Sequence, residues 1–107
     1  MNESELETLA RVADAHGDAE AAMVLGQHAG NRGDHAGAVA AFRRALERGH
    51  PQAGFWLGFT LEEDGDDAGA EQAWRNATEA GDGSAANALG ALRLERGDPR
   101  AAEAWYR

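Results

Sequence analysis

Glycine recurs at one constant interval along the chain, and this spacing constrains the fold more than any other feature. The residue after each glycine is aspartate in five of six cases; the glycines are Gly17, Gly33, Gly49, Gly65, Gly81 and Gly97. Glycine is the usual residue just past a helix, because it adopts the left-handed conformation without a Cβ penalty. Aspartate is a preferred N-cap, because its carboxylate accepts hydrogen bonds from the free amides of the first turn. The Gly-Asp pair therefore predicts that one helix ends and the next begins at each of these positions.

The composition favours helices over sheet. The chain has 25 alanines and nine leucines, but only three valines, three threonines and no isoleucine. Alanine and leucine are strong helix formers, whereas strands are enriched in β-branched residues. Short turns between helices force neighbours to run antiparallel. We therefore predict an all-α fold, with helices at about 3–16, 18–32, 34–48, 50–64, 66–80, 82–96 and 98–107.

A second pattern recurs at twice the glycine interval, which shows that the repeating unit is a pair of unlike helices. It comprises Leu25-Gly26, Leu57-Gly58 and Leu89-Gly90, then Ala38, Ala70 and Ala102, and then Phe42, Trp74 and Tyr106. We predict one domain over 1–107, with a leading helix at about 3–16 and repeat units at about 17–48, 49–80 and 81–107.

The glycines inside the helices need a compensating contact. Glycine in a helix interior costs about 1 kcal/mol relative to alanine. We expect that Gly58 permits close approach of the facing helix near Ala70. The large ring of Trp74 is then expected to fill the space one turn later.

This pattern resembles the tetratricopeptide repeat and the related Sel1-like repeat. Leu57-Gly58, Ala70, Trp74 and Ala77 match the tetratricopeptide signature, whereas the stretch Gly17-Asp18-Ala19-Glu20-Ala21 looks more like a Sel1-like repeat. The repeat unit of this chain, about 32 residues, is slightly shorter than the tetratricopeptide unit of about 34 residues. The resemblance implies a solenoid of antiparallel helix hairpins, with about three repeats and a leading half repeat.

The chain opens on half a repeat, and its spacing places the next glycine at about position 113, beyond Arg107. Repeat arrays normally end in polar capping helices, whereas this chain ends on Trp105-Tyr106-Arg107. We expect a fragment of a longer protein; a naturally short last helix is the alternative.

Charge and residue usage exclude several classes of function. A net charge of −9 gives no general attraction to nucleic acid phosphates or to an anionic membrane. All ten basic residues are arginine and there is no cysteine, so lysine chemistry, disulfides and thiol-based zinc sites are absent. No apolar run approaches the roughly 20 residues of a membrane span, and the N-terminus lacks a secretory signal. We expect a soluble cytoplasmic protein without nucleic acid or membrane partners.

The sequence offers little for catalysis or metal binding. The acidic run from Glu62 to Asp67 lacks the ligand spacing of a calcium loop, so we interpret it as a solvated turn; a site for an arginine-rich partner is the alternative. The histidines show no two-ligand spacing, and no serine lies in a Gly-x-Ser-x-Gly turn. We therefore expect no enzyme activity, metal or cofactor.

The resemblance implies that the first helix of each repeat lines a concave groove. The residues expected to contact a partner there are Met23, Gln27, Phe55, Phe59, Glu62, Glu63, Asn87 and Ala91. A place in the core is the alternative for the aromatic residues, and it is the favoured one for Trp56 and Leu61. The lysine, asparagine and arginine clamp that holds a peptide carboxylate in some tetratricopeptide domains is missing from the equivalent positions.

The sequence thus favours a protein–protein interaction module. Its expected ligand is a basic or amphipathic peptide or helix of a partner protein, because aromatic anchors rimmed by acids suit such a ligand. The alternative is a structural or self-association segment of a larger regulatory protein, which implies a homo-oligomer.

Overall fold

The computed structural model describes residues 2–95, and over that range it contains six α-helices and no strand. They are α1 (Glu3–Ala15), α2 (Ala19–Asn31), α3 (His35–Glu47), α4 (Ala53–Glu63), α5 (Asp67–Glu79) and α6 (Gly83–Glu95). The predicted all-α class is confirmed, and five helices lie within one residue of their predicted bounds. The helix expected at 98–107 lies outside the described residues.

At the predicted helix boundaries, the glycine adopts the left-handed conformation and the following aspartate caps the next helix. Five glycines have φ between 75° and 98°, in the left-handed region; they are Gly17, Gly33, Gly49, Gly65 and Gly81. The aspartate after four of them accepts a hydrogen bond of 2.9–3.1 Å from the backbone amide three residues later; these are Asp18, Asp34, Asp66 and Asp82. Each boundary is therefore fixed by contacts within a few residues.

The start of α4 differs from the prediction because His50 replaces the capping aspartate. Its Nδ1 accepts the backbone N–H of Gln52 at 3.1 Å, which leaves the amides of the following turn without a side-chain cap. The helix begins only at Ala53, three residues later than predicted. The other ring nitrogen, Nε2, lies 2.7 Å from the Glu20 carboxylate, so His50 ties this turn to α2.

Consecutive helices pack against each other, and glycine decides how closely α4 and α5 approach. A Cβ on Gly58 would collide with the indole of Trp74, and a Cβ on Gly54 would lie 2.7 Å from the Cβ of Ala77. These contacts run in opposite sequence directions, so the two helices are antiparallel. The missing side chain of Gly58 thus accommodates the Trp74 ring, and the expected proximity of Gly58 to Ala70 stays a prediction.

The same arrangement occurs between α2 and α3. A Cβ on Gly26 would lie 2.5 Å from Cε1 of Phe42. The core therefore combines buried alanines with one large ring for each helix pair, Phe42 in one and Trp74 in the other. The remaining volume is filled by leucines and by Met23.

An ion-pair cluster joins α1 to α3. The carboxylate of Asp14 lies 2.8 Å from a guanidinium nitrogen of Arg44 and 2.5 Å from one of Arg48. Burial pushes the pKa of Asp14 up, but the hydrogen bonds and charges of these two arginines outweigh burial and hold the pKa below its ordinary value. Asp14 therefore stabilises the fold in its ionised form.

The contribution of Asp14 to stability is expected to depend on pH. Because the pKa of Asp14 is lower in the folded state than in the unfolded state, ionised Asp14 contributes its full stabilisation above the unfolded-state pKa, about 3.9. This stabilisation is lost as the pH falls through the folded-state pKa. Asp14→Asn is expected to lower the free energy of unfolding by about 1–2 kcal/mol at pH 7, and by much less near pH 2. Urea unfolding at both pH values measures this difference.

Glu47→Gln is the matched control, because Glu47 is exposed and takes part in none of the ion pairs formed among residues 2–95. It should leave the stability unchanged within about 0.5 kcal/mol. An Asp14→Asn effect that stays the same at both pH values would show that the ion pairs are not the source of the stability.

Candidate functional site

A groove of about 460 Å³ lies between α2 and α4. It is lined by Gly26, Gln27, Gly30, Asn31, Phe42, Trp56, Phe59, Thr60 and Glu63. We call it the α2–α4 groove. Because α3 lies between these helices in sequence and each short turn reverses the chain, α2 and α4 run in the same direction. Their last residues, Asn31 and Glu63, therefore lie at the same end of the groove.

The groove is open on the α2 side because two of its residues lack a side chain. Gly26 must be glycine, since the ring of Phe42 occupies the space beside it. Gly30 differs, because no atom beyond its chain neighbours and its own stretch of helix backbone lies within 4 Å of the place where its Cβ would be. Packing within the described residues therefore does not require glycine at position 30, and its effect is to leave room opposite α4.

Three aromatic rings of α4 form one cluster at the groove. The centroids of Trp56 and Phe59 are 5.9 Å apart with an interplanar angle of 81°, and Phe55 packs edge-on against Trp56 at 5.2 Å. Phe59 is 40% exposed, and the other two rings are half-buried. Trp56, Phe59 and Glu63 are spaced by three and four residues, which places them on one face of the helix.

The structure brings together three of the residues that the sequence predicted to contact a partner. Gln27, Phe59 and Glu63 all line the α2–α4 groove. Trp56 also lines it, although the sequence favoured a place in the core; its ring is half-buried and packs against the core from the side. Its spacing from Phe59 and Glu63 was the signal that could have identified it.

The expected position of Met23 in the groove is wrong. Its side chain is only 2% exposed and belongs to the core cluster. Four residues turn a helix by about 400°, so Met23 is rotated by about 40° from Gln27 around the axis of α2. Leu61, by contrast, is buried in the core as expected.

The remaining predicted residues do not line this groove. Asn87 and Ala91 are exposed on α6, and Phe55 stacks on Phe59 with the ring centroids 6.4 Å apart. Glu62 is half-buried. Burial raises the pKa of Glu62 first, and the negative charges of Glu95, Asp67 and Glu63 raise it further. This end of α4 is therefore a region of concentrated negative charge.

The charge that the described residues place in the groove is negative. Among its lining residues only Glu63 is charged, and no basic group of residues 2–95 pairs with it. The neighbouring Asp64 lies 3.3 Å from Nδ1 of His35. The groove thus presents aromatic surface, the amides of Gln27 and Asn31, and one carboxylate that pairs with no basic group within residues 2–95.

A second cavity, of about 310 Å³, lies between α1, α2 and α3 and is lined mainly by charged residues. These charges already pair with one another: Glu7 lies 2.9 Å from Arg11 and 3.5 Å from Arg32, and Asp14 is held by Arg44. The charged groups of this cavity are therefore less available to a ligand than the groups of the α2–α4 groove.

Residues 2–95 contain no group of three or more histidines and carboxylates placed to hold a metal ion. None of the helices described in this range has the length and apolar character needed to cross a membrane. The sequence matches no protein family and no curated protein.

Proposed function

We propose that the chain is a protein–protein interaction module that binds a peptide or helix of a partner protein in the α2–α4 groove. In this proposal it is a solenoid of tetratricopeptide-like or Sel1-like hairpins, and α2, α4 and α6 supply the binding face. The observation that carries the proposal is the exposed ring of Phe59, which lies with Trp56 in an open groove. Binding energy at protein interfaces concentrates in a few aromatic anchors of this kind.

The polar groups of the groove suit a polypeptide ligand. The side-chain amides of Gln27 and Asn31 each have donors and an acceptor, and can therefore bond to both backbone N–H and C=O groups. They lie across from the rings of α4, so one ligand can contact both sides of the groove. The absence of enzyme activity and the cytoplasmic location expected from the sequence stay predictions.

Phe59→Ala tests this proposal. It is expected to weaken the binding of a peptide selected from a random library by about 1–3 kcal/mol. The helical content should stay unchanged, because the ring is 40% exposed. Isothermal titration calorimetry measures the affinity, and far-ultraviolet circular dichroism measures the helical content.

Leu46→Ala is the matched control. Leu46 is 42% exposed on α3, outside the proposed binding face, and does not line the α2–α4 groove. Its replacement should leave the affinity unchanged. Equal binding by wild type and Phe59→Ala would reject the groove as the binding site, and unfolding of Phe59→Ala would assign the ring to the core.

Self-association is a second candidate, favoured by one face of α1. Leu6, Leu9 and Val12 lie three residues apart and are each about half exposed. At the equivalent positions of α3, one repeat later, Ala38 and Ala41 are buried. The face of α1 that corresponds to a packed face of α3 is therefore uncovered within the described residues.

This second candidate has less support than the groove. Three side chains provide a small fraction of the roughly 800 Å² that each partner buries in a typical stable interface. Sedimentation velocity over a range of protein concentrations tests it: Leu9→Glu should abolish a dimer formed through α1. A monomer at all concentrations would rule it out.

A further inference from the structure

Two independent features place negative charge at the end of the α2–α4 groove near Asn31 and Glu63. The first is the backbone, because the C-terminus of a helix carries about half a negative charge from its free carbonyl groups. Asn31 ends α2 and Glu63 ends α4, so two helix C-termini meet at this end. The repeat period assigns Glu95, the last residue of α6, to the equivalent position.

The second source is the carboxylates of Glu62 and Glu63, which no basic residue of the described range neutralises. Glu62 and Glu63 make no ion pair with any residue in the described range 2–95. Burial raises the pKa of Glu62 first, and the negative charges of Glu95, Asp67 and Glu63 raise it further. These neighbouring carboxylates therefore repel the ionised form of Glu62. A positive charge from outside would relieve this repulsion.

Aromatic surface lies beside this negative charge. Trp56 and Phe59 meet edge to face at 81°, and the Phe59 ring is partly exposed to solvent. The face of an aromatic ring attracts cations through its quadrupole, most strongly for tryptophan. The groove therefore combines the two features that together select a flat cation, a ring face and a carboxylate.

We infer that the α2–α4 groove takes an arginine side chain of the partner peptide, with its guanidinium against Phe59 and Trp56 and hydrogen-bonded to the carboxylate of Glu63. This inference rests on the proposed function and specifies its ligand. Arginine fits better than lysine, because the guanidinium is planar, weakly hydrated and able to stack on rings while it donates to a carboxylate. The lysine ammonium is strongly hydrated and cannot stack in this way.

The experiment begins with a random dodecapeptide library displayed on phage and selected on the wild-type chain. Peptides that also bind Phe59→Ala are discarded. The tightest remaining peptide is synthesised with blocked termini, together with versions in which each arginine is replaced by lysine or by citrulline, which keeps the shape of arginine but is uncharged. Calorimetry measures all three against wild type, Glu63→Gln and the control Glu47→Gln.

The inference predicts that the surviving peptides share an arginine. Citrulline at that position should weaken binding at least tenfold and lysine about three- to tenfold. Glu63→Gln should weaken the arginine peptide about tenfold but change the citrulline peptide little, because the paired charge is already absent. Glu47→Gln should have no effect on any of the three.

Two results would contradict the inference, and only the second of them would also contradict the proposed function. If Phe59-dependent peptides are found but bind equally well with citrulline or lysine, the arginine specificity is wrong and the groove remains the binding site. If no peptide depends on Phe59, the proposed function fails as well.

Discussion

Replacing Trp74 by alanine is expected to lower the free energy of unfolding by about 3–5 kcal/mol, the usual range for a buried tryptophan. The ring is 2% exposed and fills the space left by Gly58. Its indole Nε1 donates a hydrogen bond of 3.0 Å to the carbonyl oxygen of Phe55. The total free energy of unfolding of a small domain is about 5–15 kcal/mol, so this change brings the chain close to unfolding. Urea unfolding followed by circular dichroism measures the loss.

Two further variants show whether the loss comes from the buried ring. Trp74→Phe keeps an aromatic ring, as the equivalent position Phe42 does, and loses the hydrogen bond; it should cost about 1–2 kcal/mol. Trp56→Ala removes a half-buried ring and should cost less than Trp74→Ala. If Trp74→Ala were no more damaging than Trp56→Ala, the described packing of α4 against α5 would be wrong.

Alanine in place of Gly58 and alanine in place of Gly30 are expected to have opposite effects. A Cβ on Gly58 would collide with the buried indole of Trp74, so Gly58→Ala should destabilise by about 1–3 kcal/mol despite the better helix propensity of alanine. A Cβ on Gly30 meets nothing within 4 Å, so Gly30→Ala should stabilise by up to about 1 kcal/mol. Urea unfolding of both variants checks the two signs.

A double-mutant cycle isolates the cause of the Gly58 effect. In the Trp74→Ala background the indole is gone, so alanine at position 58 should become neutral or stabilising. A destabilisation of the same size in both backgrounds would mean that Gly58 serves some contact other than the ring.

The helices were predictable because their boundaries depend on local chemistry. A left-handed glycine and an aspartate cap act within about four residues, so each Gly-Asp pair could be interpreted without knowledge of the tertiary structure. The exception has the same explanation: at His50 the cap was missing, and there the predicted helix start was three residues too early.

The shared face of Gln27 and Phe59 was also predictable, because a separation of one repeat places them at equivalent positions of α2 and α4. Non-repeating contacts were not predictable. Asp14 pairs with arginines 30 and 34 residues away, and the equivalent position one repeat after it holds Leu46. No periodic signal marks such a pair. The rotation of Met23 into the core likewise depends on how α2 is packed, which the spacing alone does not give.

Packing that is dominated by contacts between consecutive helices has a mechanical consequence. Where each helix depends mainly on its immediate neighbours, stability is close to a sum of local terms, and the ends of the array can open while the middle stays folded. A ligand seated between α2 and α4 would bridge two helices that are otherwise joined mainly through α3. The ligand would hold these two helices together, so that binding in one small groove slows the opening of the helices on both sides of it.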